Sequence, residues 1–399
     1  MSHISQSQEQ ACKEWEDIFS AVQNRGAAAR EEYASALIAA DADAGAAAYD
    51  IESASGAAEG VASGAAEGTA SGDASGTAAG ASPSKPRLRV VFGGMDGRFS
   101  TVPLRFIAKE HEIVGIVHSS PRPVKRGFLL RYARAGQGEG NLQRFADYYH
   151  CPFLSIGRAY GVELLEFLRY LRPDVLCLSN FAVILPPSIY EIPRLGALNL
   201  HLSRLPAYRG PMPWLWMFRD GATSGACTVY KLDEGEDSGP IVAQRDFAIP
   251  ANITGAELAD EVLPQGGQLL LEALNALADG RAELRAQGDS EGQPRARYLK
   301  PGESLIDWNS WSCQRVGAFL RGASVWYDAF PPIPGFYREY APGVEGEVKG
   351  TPGQLVSRGL RGWVVCRDGK VPYTLRPNLY ELGRLALPPA LIFALYSLL

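Results

Sequence analysis

Asn199, His201 and Asp237 are the side chains of this sequence best placed to do chemistry. Asn199-Leu-His201 sets an amide and an imidazole two residues apart, just after an apolar run. In a strand, positions i and i+2 point to one face, so both polar heads aim at one spot. A donor amide beside a titratable ring is what acyl transfer needs: one group holds a developing oxyanion, the other manages protons. Downstream, Val229-Tyr-Lys-Leu-Asp233-Glu-Gly235-Glu236-Asp237-Ser-Gly239 is a strand end that meets a Gly-punctuated acidic loop. That loop brings a carboxylate, Asp237, which can fold back towards His201.

These groups need a scaffold, and the hydrophobic pattern predicts one. Leu88–Phe92 is a short buried strand running into Gly93-Gly94, and 112–117 is a second strand after a helix near 101–110. A helix over 141–149, a strand at Phe153-Leu154, an amphipathic helix over 161–171 and strands at 173–178 and 197–201 follow. Strands alternating with helices predict an α/β, doubly wound, mostly parallel sheet, whose ligands bind at the carboxyl ends of the strands. Gly93-Gly94 lacks the spacing of a dinucleotide-binding turn. A long helix near 264–279, a polar linker, a helix over 312–321 and a Pro-rich stretch at 331–335 come next. Short strands at Glu347-Val-Lys, Gln354-Leu-Val, 363–366 and 371–375, with a turn at Asp368-Gly369, predict a small antiparallel barrel. The chain divides into a tail over 1–85, a catalytic domain over 86–285, a linker over 286–302 and a barrel domain over 303–399.

The tail has helix formers at 8–40 and an Ala/Gly/Ser-rich stretch at 53–84 that cannot build a core and reads as disordered linker. Residues 1–84 hold 13 acids against three bases, a net of -10, so the overall charge of -5 leaves the remainder at +5. A mildly basic body is compatible with a nucleic-acid partner without requiring one. Six scattered cysteines without Cys-x-x-Cys spacing read as buried small hydrophobes in a reducing compartment. No basic n-region with an apolar run opens the chain, and the apolar segment 390–399 is too short to span a bilayer, which suggests a cytoplasmic protein with no membrane association. His111, His118 and His150 have no ligand spacing and invite no metal site.

Two motifs together resemble the formyltransferase family that uses 10-formyltetrahydrofolate, the group that includes the methionyl-tRNA and glycinamide ribonucleotide formyltransferases. The family's Asn-x-His-x-Ser-Leu-Leu-Pro-x-x-Arg-Gly is matched by Asn199 to Gly210, with Arg204 in place of the first Leu. Its Leu-Asp-x-Gly-x-Asp-Thr-Gly is matched by Leu232 to Gly239, with Ser238 in place of Thr. The resemblance covers roughly 86–377 and implies an OB-like C-terminal domain. It also implies that Asn199, His201 and Asp237 are catalytic: Asn199 and a protonated His201 donate to the oxyanion, while Asp237 holds the imidazolium or relays a proton. Taken singly, they read as a capping amide, a core histidine and a solvated acid.

Ser203 is expected to cap the loop backbone, and Leu205-Pro206 to stiffen it. Arg209-Gly210 contacts a substrate anion or else fixes the loop through an ion pair. The resemblance places the folate at Ile184, Leu185, Asp233 and Glu236, with core packing the competing role for the two aliphatic residues. Trp214 and Trp216 line an acceptor pocket or pack the following helix.

The acceptor amine is read as methionyl-tRNA on the strength of the two-domain layout. The alternatives are a small amine such as a nucleotide amino-sugar or specialised metabolite, water in a formylfolate hydrolase, or no turnover in a folate-binding protein. Arg122, Lys125, Arg126, Arg131 and Arg134 form a basic loop that resembles the tRNA-entering loop of the family. From Glu303 onward ten bases face eight acids, a weakly positive balance for a tRNA-gripping domain. No oligomeric state follows from the sequence.

Overall fold

A computed structural model describes residues 87–120, 141–157, 161–300, 302–333 and 335–377. The expected tail over 1–85, the basic loop from Arg122 to Arg134 and the apolar terminus from Ala390 to Leu399 lie outside the described residues.

A seven-stranded sheet carries the first part of the chain. Its strands are β1 (Arg89–Gly94), β2 (Glu112–Ser119), β3 (Phe153–Ile156), β4 (Val175–Ser179), β5 (Ala197–His201), β6 (Ser224–Lys231) and β7 (Ile241–Ala248). The order is β3-β2-β1-β4-β5-β6-β7. The first five pair in parallel, and β6 and β7 close the sheet antiparallel. The strand order reverses between β1 and β4, which puts a crevice at their carboxyl ends.

The helices are α1 (Arg98–Ala108), α2 (Leu142–Tyr148), α3 (Val162–Leu171), α4 (Pro187–Tyr190), α5 (Pro213–Asp220), α6 (Gly255–Ala278) and α7 (Cys313–Ala323). They cover both sheet faces. Val90 and Phe92 sit in one core with Leu104 and Ile107 of α1 and Leu263 and Leu270 of α6. Val91 sits in the other with Leu164, Phe167 and Leu168 of α3. Burial on both faces is why β1 reads as a continuous apolar run and not as an alternation. Gly93 and Gly94 serve close packing: a Cβ at Gly93 would stand 2.6 Å from Leu178 Cδ2, and one at Gly94 2.4 Å from Ser100 Oγ.

Helix α6 begins nine residues before the position expected from sequence. Pro264 suggests a helix start, yet it lies inside the helix. The start is a capping box at Thr254, whose hydroxyl accepts from Glu257 N while the Glu257 carboxylate accepts from Thr254 N. Two otherwise orphan N–H groups are satisfied together.

The second sheet has β8 (Phe336–Tyr340), β9 (Val344–Glu345), β10 (Leu355–Arg358), β11 (Arg361–Cys366) and β12 (Gly369–Pro377). It is antiparallel, in the order β10-β11-β12-β8, with β9 also on β12. The strand expected at Glu347-Val-Lys is not one; β9 takes Val344–Glu345 instead, because these residues, unlike 347–349, find partners in Lys370 and Gly369. Cys366 pairs with Gly369, so the β11–β12 turn is Arg367-Asp368, one residue earlier than expected. Asp368 accepts from Cys313 N at 2.8 Å and so ties this turn to the start of α7. A shared core of Leu215, Trp216, Val316, Phe319, Leu320, Val364, Val371 and Tyr373 joins α5, α7 and the second sheet. Among the described residues no helix is long and apolar enough to cross a membrane.

Candidate active site

Asn199 and His201 lie on β5, opposite Tyr230 and Thr228 of β6. Residues directly opposed in an antiparallel pair share a face, so all four side chains sit on one side of the sheet. Asp237 arrives from the β6–β7 loop, at a left-handed φ of 51°.

The three expected groups come together. Asp237 Oδ2 accepts from Gly210 N at 2.7 Å and lies 3.6 Å from His201 Nδ1. Asp237 Oδ1 accepts from the Tyr230 hydroxyl at 2.7 Å, and Tyr230 accepts from Asn199 Nδ2 at 3.0 Å. His201 Nε2 lies 2.9 Å from the Tyr208 carbonyl. A carbonyl only accepts, so Nε2 carries a proton and Nδ1 is the nitrogen facing the carboxylate. Nε2 is therefore committed to the backbone carbonyl, and Nδ1 is the ring nitrogen left for chemistry. His201 is 7% exposed, so the ring sits out of bulk water.

Ser203 Oγ donates to Ala207 O at 2.8 Å, and Thr228 Oγ1 donates to Ser203 O at 2.6 Å. Leu205 is buried against Tyr230 and Ile241, and the Leu205–Pro206 peptide is cis. Among the described residues Arg209 makes no ion pair. Its Nε and Nη2 donate to Gln287 Oε1 at 3.1 and 2.6 Å. The Gln287 amide in turn donates to Asp237 O at 2.9 Å and Gly239 O at 2.8 Å. The segment after α6 thus fastens the two site loops together. Ala296 N donates to Arg209 O and Met212 N to Ala296 O, at 2.8 and 2.9 Å, which extends the stitching.

A cavity of about 410 Å³ opens at the carboxyl ends of β1, β4 and β5. Met95, Asn180, Asn199 and His201 line its floor, the stretch Phe181–Leu185 one wall, and Asp233, Glu236 and Asp237 another. Ile184 stands 65% exposed in that wall, whereas Leu185 is 3% exposed and packs in the core. Asp233 accepts from Gly235 N and Ser238 Oγ at 3.1 and 2.7 Å, which shapes the acidic loop. Glu236 is ion-paired with Arg295.

Trp214 lines the cavity and is also buried core: its indole donates to Leu202 O at 3.1 Å, and it meets Phe99 and Trp326 edge-on. Trp216 donates to Arg297 O at 2.7 Å and packs against the second sheet's core. Tyr208 donates to Asp220 at 3.2 Å; burial and that carboxylate push its phenol up to about 12. Burial, and then Asp237, hold Tyr230 well above the ordinary tyrosine range, so its phenol stays a proton donor. Among the described residues no group of three or more His, Cys, Asp or Glu could hold a metal.

Sequence reasoning missed Tyr230 and Gln287. The signal for Tyr230 was its place two residues before Leu232-Asp233 on a strand, but its partner depends on the β5–β6 register. Gln287 carried no signal in a polar linker.

A family model described as formyl transferase matches residues 143–274. The methionyl-tRNA formyltransferase of Chloroflexus aggregans is 31% identical over 288 residues, 71% of this chain and 89% of the relative. That of Trichlorobacter lovleyi is 33% identical over 285 residues, 71% of this chain and 87% of the relative. Among solved structures, HypX from Aquifex aeolicus in complex with tetrahydrofolic acid aligns with a TM-score of 0.50 over 75% of this chain and 47% of that one, at 17% identity. WlaRD, a sugar 3N-formyl transferase, gives 0.50 over 73% of this chain and 98% of its own, at 13% identity, a likeness of fold. The order of the strands, the paired loops and the relatives agree: this chain belongs to the formyltransferase family and is a formyl-transferring enzyme of the methionyl-tRNA formyltransferase-like group.

Proposed function

We propose that the enzyme moves the formyl group of 10-formyltetrahydrofolate to the amine of methionyl-tRNA, with Asn199, His201 and Asp237 as its catalytic residues. The observation that carries the chemistry is the convergence of these three groups at the carboxyl end of β5. The cavity suits a small-molecule donor, since such sites run from about 300 to 1,000 Å³. Ile184, Leu185, Asp233 and Glu236 all line this cavity, and on that ground they are assigned to the donor's pterin. The acceptor nitrogen attacks the formyl carbon, a C–N bond forms, and the carbonyl oxygen takes up negative charge. The Asn199 N–H not given to Tyr230 donates to that oxygen. His201 Nδ1 and Asp237 take the proton of the attacking amine and return it to N10 as the C–N10 bond breaks.

For the acceptor, the support lies in how charge is laid out on the second sheet. The part read as the OB-like domain, residues 303–399 joined through 286–302 to 86–285, is only weakly basic by count. Its register nonetheless puts Arg358, Arg361, Trp363 and Lys370 on one face, with Arg376 beside them ion-paired to Glu339. Arg358 and Lys370 stand over the Trp363 ring at 5.1 and 5.6 Å. Val364, Val371 and Tyr373 take the opposite, buried face. Cations interleaved with an aromatic ring suit phosphates and bases.

Purified enzyme with 10-formyltetrahydrofolate and charged initiator tRNA should yield formylmethionyl-tRNA by mass spectrometry. Arg358→Ala with Lys370→Ala should make the slope of log affinity against log salt shallower by about two. Transfer to a nucleotide amino-sugar with none to tRNA would remove the tRNA reading and leave formyl transfer standing.

Gln287→Ala should lower turnover by about 10- to 100-fold, because displacement of site loops by about 1 Å costs that much. Gln287→Glu should be at least as damaging, since a carboxylate cannot donate to the Asp237 and Gly239 carbonyls. Wild-type kinetics in the Glu variant would show that the loops hold their geometry without this fastening.

A further inference from the structure

We propose that Tyr230 is a positioning residue that sets the Asp237 carboxylate against His201 and aims the Asn199 amide into the cavity; this rests on the assignment of those three groups as catalytic. Tyr230 is 4% exposed and lies opposite Asn199 in the β5–β6 register. A phenol has one proton to give and lone pairs to accept with. Here the proton goes to Asp237 Oδ1 at 2.7 Å, and a lone pair takes an Asn199 Nδ2 proton at 3.0 Å. Both hydroxyl partners are site residues.

The consequences are specific for each partner. Asp237 is held at both oxygens, by Tyr230 on Oδ1 and by Gly210 N on Oδ2, and this leaves Oδ2 3.6 Å from His201 Nδ1. Its backbone sits at a φ of 51°, a conformation that surrounding bonds must maintain for a non-glycine residue. Asn199 cannot flip its amide without aiming a carbonyl at a hydroxyl whose only proton is given to Asp237. One of its N–H groups is thereby fixed on Tyr230 and the other is left to stabilise developing charge. Because burial keeps the phenol protonated, the direction of this chain, amide to phenol to carboxylate, does not reverse as pH rises through neutrality.

Tyr230→Phe removes only the hydroxyl and keeps the ring against Leu205 and Ile241. Assayed with 10-formyltetrahydrofolate and methionyl-tRNA, kcat per folded enzyme should fall by about 10- to 100-fold, with both KM values within about twofold. Binding of 5-formyltetrahydrofolate, a non-reacting analogue of the donor, should be unchanged. In an Asp237→Asn background the same substitution should add little, because residues acting as one unit are not additive. In a crystal of Tyr230→Phe, Asp237 should turn away from His201. A kcat near wild type, a loss confined to melting temperature, full additivity with Asp237→Asn, or an unmoved Asp237 would each overturn the proposal. Full activity of Asp237→Asn alone would instead overturn the catalytic assignment beneath it.

Discussion

His201→Ala, Asn199→Ala and Asp237→Ala should each reduce kcat by at least about 100-fold while the enzyme stays folded. The scale comes from acyl-transfer enzymes, where loss of one oxyanion donor costs about 100- to 1,000-fold. Asn199 holds the donor and His201 with Asp237 manages the proton, so each variant removes a step that neither neighbour can take over. The three should be non-additive: His201→Ala combined with Asp237→Ala should be little worse than the worse single variant, as for groups that act as a unit. His201 also ties β5 to the Tyr208 carbonyl, so its loss should lower the melting temperature modestly. His201→Gln restores a donor to that carbonyl and should recover stability without recovering rate. Steady-state turnover with circular dichroism as the folding control measures both. A variant that keeps more than about a tenth of wild-type kcat loses its assigned role.

Gly239→Ala should be almost as damaging, through a different route. An ideal Cβ at this position would stand 1.8 Å from the Lys231 carbonyl oxygen, a backbone atom with nowhere to go. Lys231 N donates to Pro240 O at 2.9 Å, so strand and loop approach closely here because residue 239 has no side chain. The added methyl must push the acidic loop off β6 and take Asp237 away from His201 and Gly210. Overpacking of this kind costs about 1 to 3 kcal/mol of stability, and occasionally more. Turnover should fall with it by about 100-fold, since the carboxylate moves by an ångström or more. Ser238→Ala next door loses one hydroxyl bond to Asp233 and should cost far less in both measures. Equal behaviour of the two variants in thermal melts and kinetics would show that the loop tolerates displacement.

Much of the site was legible because its parts are local. Asn199 and His201 share a strand, so period-two alternation alone put them on one face, and the acidic loop announced itself through its glycines and carboxylates. The mostly parallel sheet was legible from buried apolar runs alternating with amphipathic helices. The start of α6 lies nine residues before the expected position, at the Thr254-x-x-Glu257 capping box, a start signal that hydrophobic periodicity alone does not carry.

What the sequence determined, then, was a set of local patterns: strand and helix types, the face shared by Asn199 and His201, and a carboxylate loop at a fixed distance along the chain. The tertiary structure decided everything that depends on which strand lies beside which. The antiparallel register of β5 and β6 put Tyr230 between Asn199 and Asp237. The path of the chain after α6 carried Gln287 back 78 residues in sequence to Arg209 and 50 to Asp237. The folding of β10, β11 and β12 gathered on one face cations that composition shows only as a near-neutral count. Residue spacing encodes i+2 and i+4 neighbours directly, because backbone geometry fixes them. Contacts across tens of residues are set by the packing of whole elements.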